Sequence, residues 1–269
     1  MAELRSLLTS RFKSGASAGA CPIPTPCFRW LPDELLEPLA TWLQSLPARG
    51  LPSQWLTSSI TPLWKGKHPA SDPTTYRPIS VLQPMAKLYS LLMLARLDSL
   101  AHASDPPWRA PEQAGFRPGY RLEDHQLPLT YLLQAAAAGR GPITVAFIDL
   151  EKAYDKVPRE ALWEVLGQEL EVPPDLLYGI RAMYHETRSQ VSTPAGTSPP
   201  FPTTIGVKQG CPASPLLFSL FFDRVSAYLK EHAPSRLRTH TPLLAALATF
   251  LLLYADDLVL LAHDSHRMQ

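Results

Sequence analysis

Two adjacent acids stand between apolar runs in Leu252-Leu253-Tyr254-Ala255-Asp256-Asp257-Leu258-Val259-Leu260-Leu261. Aspartate favours tight turns, so the pattern reads as a β-hairpin with Asp256 and Asp257 at its tip. The plain alternative is an ordinary Asp-Asp turn. Flanks this apolar are expected to be buried, however, and carboxylates held against a buried surface call for cations. A third acid, Asp149, ends the β-branched run Ile143-Thr144-Val145-Ala146-Phe147-Ile148, read as a buried strand. Alone it could equally be a helix N-cap or a first-turn acid. A third segment, Gly206-Val207-Lys208-Gln209-Gly210-Cys211-Pro212-Ala213-Ser214-Pro215, is a glycine-punctuated loop that opens a helix. Glycines let backbone approach a ligand closely, and the bland alternative is a loop before a proline-started helix.

Taken together, the order and spacing of these segments resemble motifs A, B and C of reverse transcriptases, with Tyr254-Ala255-Asp256-Asp257 as the most specific match. Upstream, Tyr76-Arg77-Pro78-Ile79-Ser80 with Lys87 and Arg96 is similar to the fingers segment of non-LTR retrotransposon and group II intron enzymes. Glu112-Gln113-Ala114-Gly115-Phe116-Arg117-Pro118-Gly119 is similar to the next segment of that group. The resemblance covers residues 60–262.

The resemblance implies an α+β right-hand polymerase: a palm with a small antiparallel sheet backed by helices, and helix-rich fingers. It implies RNA-directed DNA polymerase activity, with an RNA template, a DNA primer and deoxynucleoside triphosphates as partners. Asp149 and Asp256 would be ligands of two Mg²⁺ ions, with Mn²⁺ as an alternative, and Asp257 would take a lesser part. Hard cations prefer such oxygen ligands, and two of them suit in-line phosphoryl transfer. Tyr154 would pack against the sugar and exclude a 2′-hydroxyl; a core tyrosine is the alternative. Gln209 and Gly210 would line the nucleotide pocket. Lys65, Arg77 and Arg117 would grip phosphates, against the alternative of plain surface charge.

These residues need elements to hold them. Helical spacing runs through Leu35, Leu36, Leu39, Trp42, Leu43 and Leu46, with Pro47 as its end. A strand is expected over 59–64, running into the turn Lys65-Gly66-Lys67. An amphipathic helix is expected over 84–100, and further helices over 122–138 with a kink at Pro128, 159–170, 174–186 and 216–230. The division expected is a loose segment over 1–30, fingers over 31–142 and palm over 143–269. The apolar run 243–255 reads as a helix end leading into a strand, too short to span a membrane.

Composition agrees with a globular chain: 269 residues, 45% hydrophobic and 18% charged, with 29 prolines that imply stiff loops. Net charge is only +1, but residues 60–121 carry eight basic against four acidic side chains. Three cysteines make neither a disulfide framework nor a zinc site, which fits an intracellular setting, nucleus or cytoplasm. His125, His185 and His240 show no partner pattern. The chain stops 12 residues after Asp257, so a thumb is expected to be missing, Leu258 to Leu261 poorly covered and processive synthesis weak. Two other functions stay open. One is an inactive remnant that binds nucleic acid weakly. The other is an RNA-templated RNA polymerase, which Tyr154 at the sugar position disfavours.

Overall fold

The computed structural model describes residues 1–12, 21, 23–139, 143–232 and 251–262. In chain order the elements are α1 (Ala2–Ser10), α2 (Thr25–Arg29), α3 (Asp33–Arg49), α4 (Ser53–Leu56), β1 (Thr57–Trp64) and β2 (Tyr76–Val81). Then come α5 (Pro84–Ala103), α6 (Glu123–Ala137), β3 (Thr144–Ile148), α7 (Arg159–Glu164), α8 (Pro174–Ala182) and β4 (Arg188–Thr193). The last are β5 (Gly196–Thr197), β6 (Phe201–Pro202), α9 (Ser214–His232), β7 (Leu251–Tyr254) and β8 (Asp257–Ala262). They form two compact units that interleave in sequence. The first is residues 1–103 with 154–214, and the second is 104–153 with 215–269. The expected fingers-to-palm boundary at 142/143 falls inside the second.

In the first unit β1 lies between β2, antiparallel to it, and β4, parallel to it. Short strands β5 and β6 both pair with β4. The strands over 188–202 carried no clear alternation and were not expected. Helix α5 is buried on all sides from Leu88 to Met93, so it is a core helix and not the amphipathic one expected. Trp55 contacts the rings of both Trp42 and Tyr89. Gly179 lets α8 press against α5: a Cβ there would stand 2.9 Å from Met93 Sδ, and the Tyr89 hydroxyl donates to Gly179 O at 3.2 Å.

The N-terminal stretch expected to be loose is partly ordered. Leu4, Leu7, Leu8 and Phe12 are buried, and each such side chain stabilises by about 2 kcal/mol. Their helical spacing was masked by the Ser/Ala/Gly-rich composition around them. Arg96, one of the residues that carry the fingers-segment resemblance, pairs with Glu3 at 3.1 Å. Pro47 does not end α3, which runs on to Arg49 before Gly50 turns out at φ +81°.

In the second unit β8 is central in an antiparallel sheet of order β3-β8-β7. Leu129 and Leu132 of α6 pack on Leu252 and Leu261, and α6 passes through Pro128 without ending. Leu258 and Leu261, expected to be poorly covered, are buried. Conversely β3 is not the buried strand expected, because Phe147 is 72% exposed on this edge strand. The helix end expected near 243 lies outside the described residues. Among the described residues no helix is long and apolar enough to cross a membrane.

Candidate active site

The expected hairpin forms, but its tip lies one residue earlier than expected, because Asp257 already pairs as the first residue of β8. Leu251 to Leu253 are buried, Tyr254 pairs with Asp257, and Ala255 and Asp256 are left as the two-residue turn. Ala255 takes the left-handed conformation at φ +59°, a cost of roughly 1–2 kcal/mol for a residue with a Cβ. A non-local segment adds to the open edge of β7. The Leu253 amide donates to Glu112 O at 3.0 Å, and the Ala114 amide donates to Leu253 O at 2.9 Å. Gly115 then passes so close that a Cβ would stand 2.1 Å from Ala255 N. His125, which had no partner pattern in the sequence, places Nε2 2.9 Å from Leu253 O.

Antiparallel register brings the third acid to the same end of the sheet. Ile148 pairs with Leu258, so Asp149 follows on one strand and Asp257 precedes on the other. Residues opposite one another in an antiparallel pair share a face. The electrostatics agree: the Asp257 carboxyl is raised above the usual range by burial, then by the charge of Asp256, then by that of Asp149. Asp149 and Asp257 are open to solvent; the apolar residues Leu253, Ala255 and Leu258 beside the hairpin acids are buried, while Phe147 and Ile148 before Asp149 are exposed. Among the described residues no three His, Cys, Asp or Glu side chains converge tightly enough to hold an ion as they stand. Mutual repulsion between like charges opposes such convergence until a cation is present.

The glycine loop belongs to the first unit and is wedged there. The Val207 amide donates to Tyr154 O at 2.8 Å and the Gly206 amide to Val157 O at 2.9 Å. Gly206 sits at φ +83°, where a Cβ would lie 2.7 Å from Asp155 O. The Ser80 amide donates to Gln209 O at 2.6 Å, and a Cβ on Gly210, at φ +116°, would meet Ser80 O at 2.4 Å. Tyr154, Gln209 and Gly210 are therefore held on one backbone framework with the end of β2. Arg159, which the sequence reading missed, anchors this loop from beneath. Its guanidinium donates to Gly206 O at 2.9 Å, Thr203 O at 2.8 Å and Thr187 Oγ1 at 2.9 Å.

The three candidate phosphate grips differ. Lys65 donates to Thr74 O at 3.1 Å, close to the end of β2 that carries exposed Arg77. Arg117 belongs to the second unit and lies over the Tyr120 ring at 4.3 Å. Thus the first unit holds Lys65, Arg77, Tyr154, Gln209 and Gly210. The second holds Arg117, Asp149, Asp256 and Asp257.

The sequence matches the family Reverse transcriptase (RNA-dependent DNA polymerase) over residues 65–269. The chain belongs to the reverse transcriptase family. This reverse transcriptase chain is 30% identical over 211 residues to the probable RNA-directed DNA polymerase from transposon BS of Drosophila melanogaster, covering 78% of this chain and 22% of that protein. It is 28% identical over 237 residues to the RNA-directed DNA polymerase from mobile element jockey of the same fly, covering 87% and 24%. It therefore spans about a quarter of the length of these relatives, which place the domain in the non-LTR retrotransposon group. Its fold is similar to that of apo telomerase from Candida tropicalis, with a TM-score of 0.51 at 12% identity over 87% of this chain and 50% of that one. This likeness supports the polymerase palm-and-fingers fold.

Proposed function

We propose that the residues of this chain serve RNA-templated addition of deoxynucleotides to a primer 3′-hydroxyl. The observation that carries the reading is the arrival of Asp149 beside the Asp256–Asp257 hairpin, across about a hundred residues of sequence, with the charges of Asp149 and Asp256 felt at Asp257. An all-oxygen set of mutually repelling carboxylates fits hard divalent cations, so Asp149, Asp256 and Asp257 would hold Mg²⁺, or Mn²⁺ in its place. When bound, two such ions lower the pKa of the attacking hydroxyl and offset the charge that develops on the phosphoryl group.

The rest falls to the chain. Tyr154, half-buried and fixed through its own carbonyl, would face the sugar at the 2′ position. Gln209 and Gly210, locked to Ser80, form the rigid backbone against which a nucleotide would lie. Lys65, Arg77 and Arg117 would contact template or triphosphate oxygens. RNA template and DNA primer are the partners this reading requires, in line with relatives described as RNA-directed DNA polymerases.

The test is single-nucleotide primer extension on an RNA template with Mg²⁺, beside an EDTA control and the Asp149→Asn variant. Extension that needs both the ion and Asp149 supports the proposal. Template binding without extension, in a folded protein, would make the chain a nucleic-acid-binding remnant instead.

A further inference from the structure

We propose that Gln113 is a positioning residue that locks the Ala255–Asp256 turn in its left-handed shape and so holds the hairpin carboxylates where they can take up ions. The side chain is fully buried, which is unusual for glutamine. Its Oε1 accepts from the Ala255 amide at 2.9 Å and from the Gly115 amide at 2.9 Å. Its Nε2 donates back to Ala255 O at 3.2 Å. Both backbone polar groups of the strained residue are thus satisfied by one carboxamide. Two amide donors on one side and a carbonyl on the other leave a single orientation for that carboxamide. Apart from a protonated glutamic acid, no other side chain of this reach offers an acceptor and a donor side by side.

The surroundings are built for this contact. Gly115 leaves no space for a side chain: a Cβ there would lie 2.1 Å from Ala255 N and 2.9 Å from Gln113 Oε1. The residue before Gln113 is bolted to α9, where Glu112 accepts from Lys230 Nζ at 2.8 Å and from Ser226 Oγ at 3.0 Å. Further back, the Ala110 amide donates to Asp223 Oδ2 at 3.0 Å. The segment 110–115 therefore connects a helix to the turn, and Gln113 is its contact with the turn. All these groups lie within the second unit. A loop that only filled space would need an apolar side chain here, since a buried carboxamide is favourable only when its hydrogen bonds are made.

The contact stands on geometry alone, whereas its consequence for ion binding rests on the polymerase reading. The experiment separates the two, using the full 269-residue chain. Ala255 amide exchange is measured by NMR without metal, and Mn²⁺ affinity by titration, in the wild type, Gln113→Leu and Gln113→Glu. Leucine keeps the bulk and loses all three hydrogen bonds. Glutamic acid, neutral at this buried site, keeps two acceptor contacts and can donate to Ala255 O. Gln113→Leu should speed exchange at Ala255 by about tenfold or more and weaken Mn²⁺ binding by about tenfold, the range seen when groups orienting metal ligands are removed. Amides of β1 should be unchanged, and Gln113→Glu should restore both readouts. Unchanged protection of Ala255 in Gln113→Leu overturns the proposal. So does a Gln113→Glu variant that loses as much as the leucine. Should Gln113→Leu not fold, Gln113→Glu decides at the same amide: protection kept supports the proposal and protection lost overturns it. If the wild type binds no Mn²⁺, the polymerase reading fails, and the Ala255 amide still judges the contact.

Discussion

Replacing Asp223 by asparagine should remove a specific pH dependence from the stability of this protein. Asp223 lies on α9 and is buried. Its Oδ2 accepts from the Ala110 amide at 3.0 Å, while among the described residues no partner lies within hydrogen-bond geometry of its Oδ1. Burial raises the carboxyl from its ordinary 3.8 to about 7, against the pull of the Ala110 amide, Arg109 and Gln113. A raised acid means that the folded state keeps a proton which the unfolded chain releases. This contribution is therefore complete below about pH 4 and is lost as pH rises through about 7. The interval corresponds to roughly 4 kcal/mol, at about 1.4 kcal/mol per pH unit. Asparagine keeps the acceptor for the Ala110 amide and does not titrate. Urea unfolding followed by circular dichroism from pH 3.5 to 8 should show wild-type stability, relative to Asp223→Asn, falling by roughly 4 kcal/mol between about pH 4 and 7 and level on either side. A difference that stays flat within about 1 kcal/mol would refute the reasoning. One that rises with pH would mean that Asp223 is ionised in the fold and held by Arg109.

Further expectations concern the site and the loop. Asp149→Asn or Asp256→Asn should leave circular dichroism unchanged and lower Mg²⁺-dependent primer extension by at least about a hundredfold, since loss of a direct ligand exceeds the tenfold to hundredfold cost of losing its support. Normal extension by either variant at ordinary Mg²⁺ would show that the ligands are misassigned. Tyr154→Ala should raise ribonucleotide use relative to deoxynucleotide in single-nucleotide extension, and unchanged sugar choice would place Tyr154 in the core only. Gly210→Ala, with its Cβ 2.4 Å from Ser80 O and φ at +116°, should destabilise by about 2–4 kcal/mol. A melting temperature equal to that of the wild type would show that the Ser80–Gly210 contact is not tight.

What was legible in the sequence was local. The hairpin at 251–262 could be read because two apolar runs flank a pair of turn-favouring aspartates, although the turn itself is Ala255–Asp256. α5 and α9 could be located from helical spacing, with proline or serine at their starts. Burial was read less well than element type. β3 is β-branched and looks like a core strand, yet it is an edge with Phe147 exposed. Leu258 and Leu261 looked uncovered, yet both are buried, Leu261 in a cluster with Leu129 and Leu132 of α6. The side of an element that faces the core depends on what packs there, and single-sequence periodicity carries no record of that partner.

The sequence by itself offered Asp149, Asp256 and Asp257 as candidate acids and determined the hairpin and strand end that present them, because apolar runs and turn residues act over a few neighbours. Only the tertiary structure decided that Ile148 pairs with Leu258, and so that Asp149 arrives beside Asp257. It also decided that Gln113 meets Ala255 across 142 residues of chain and that Arg159 reaches Gly206 across 47. Such contacts follow from strand register and from buried polar groups seeking partners wherever folding brings them. Neither leaves a period or a motif in the chain from which the partner could be read.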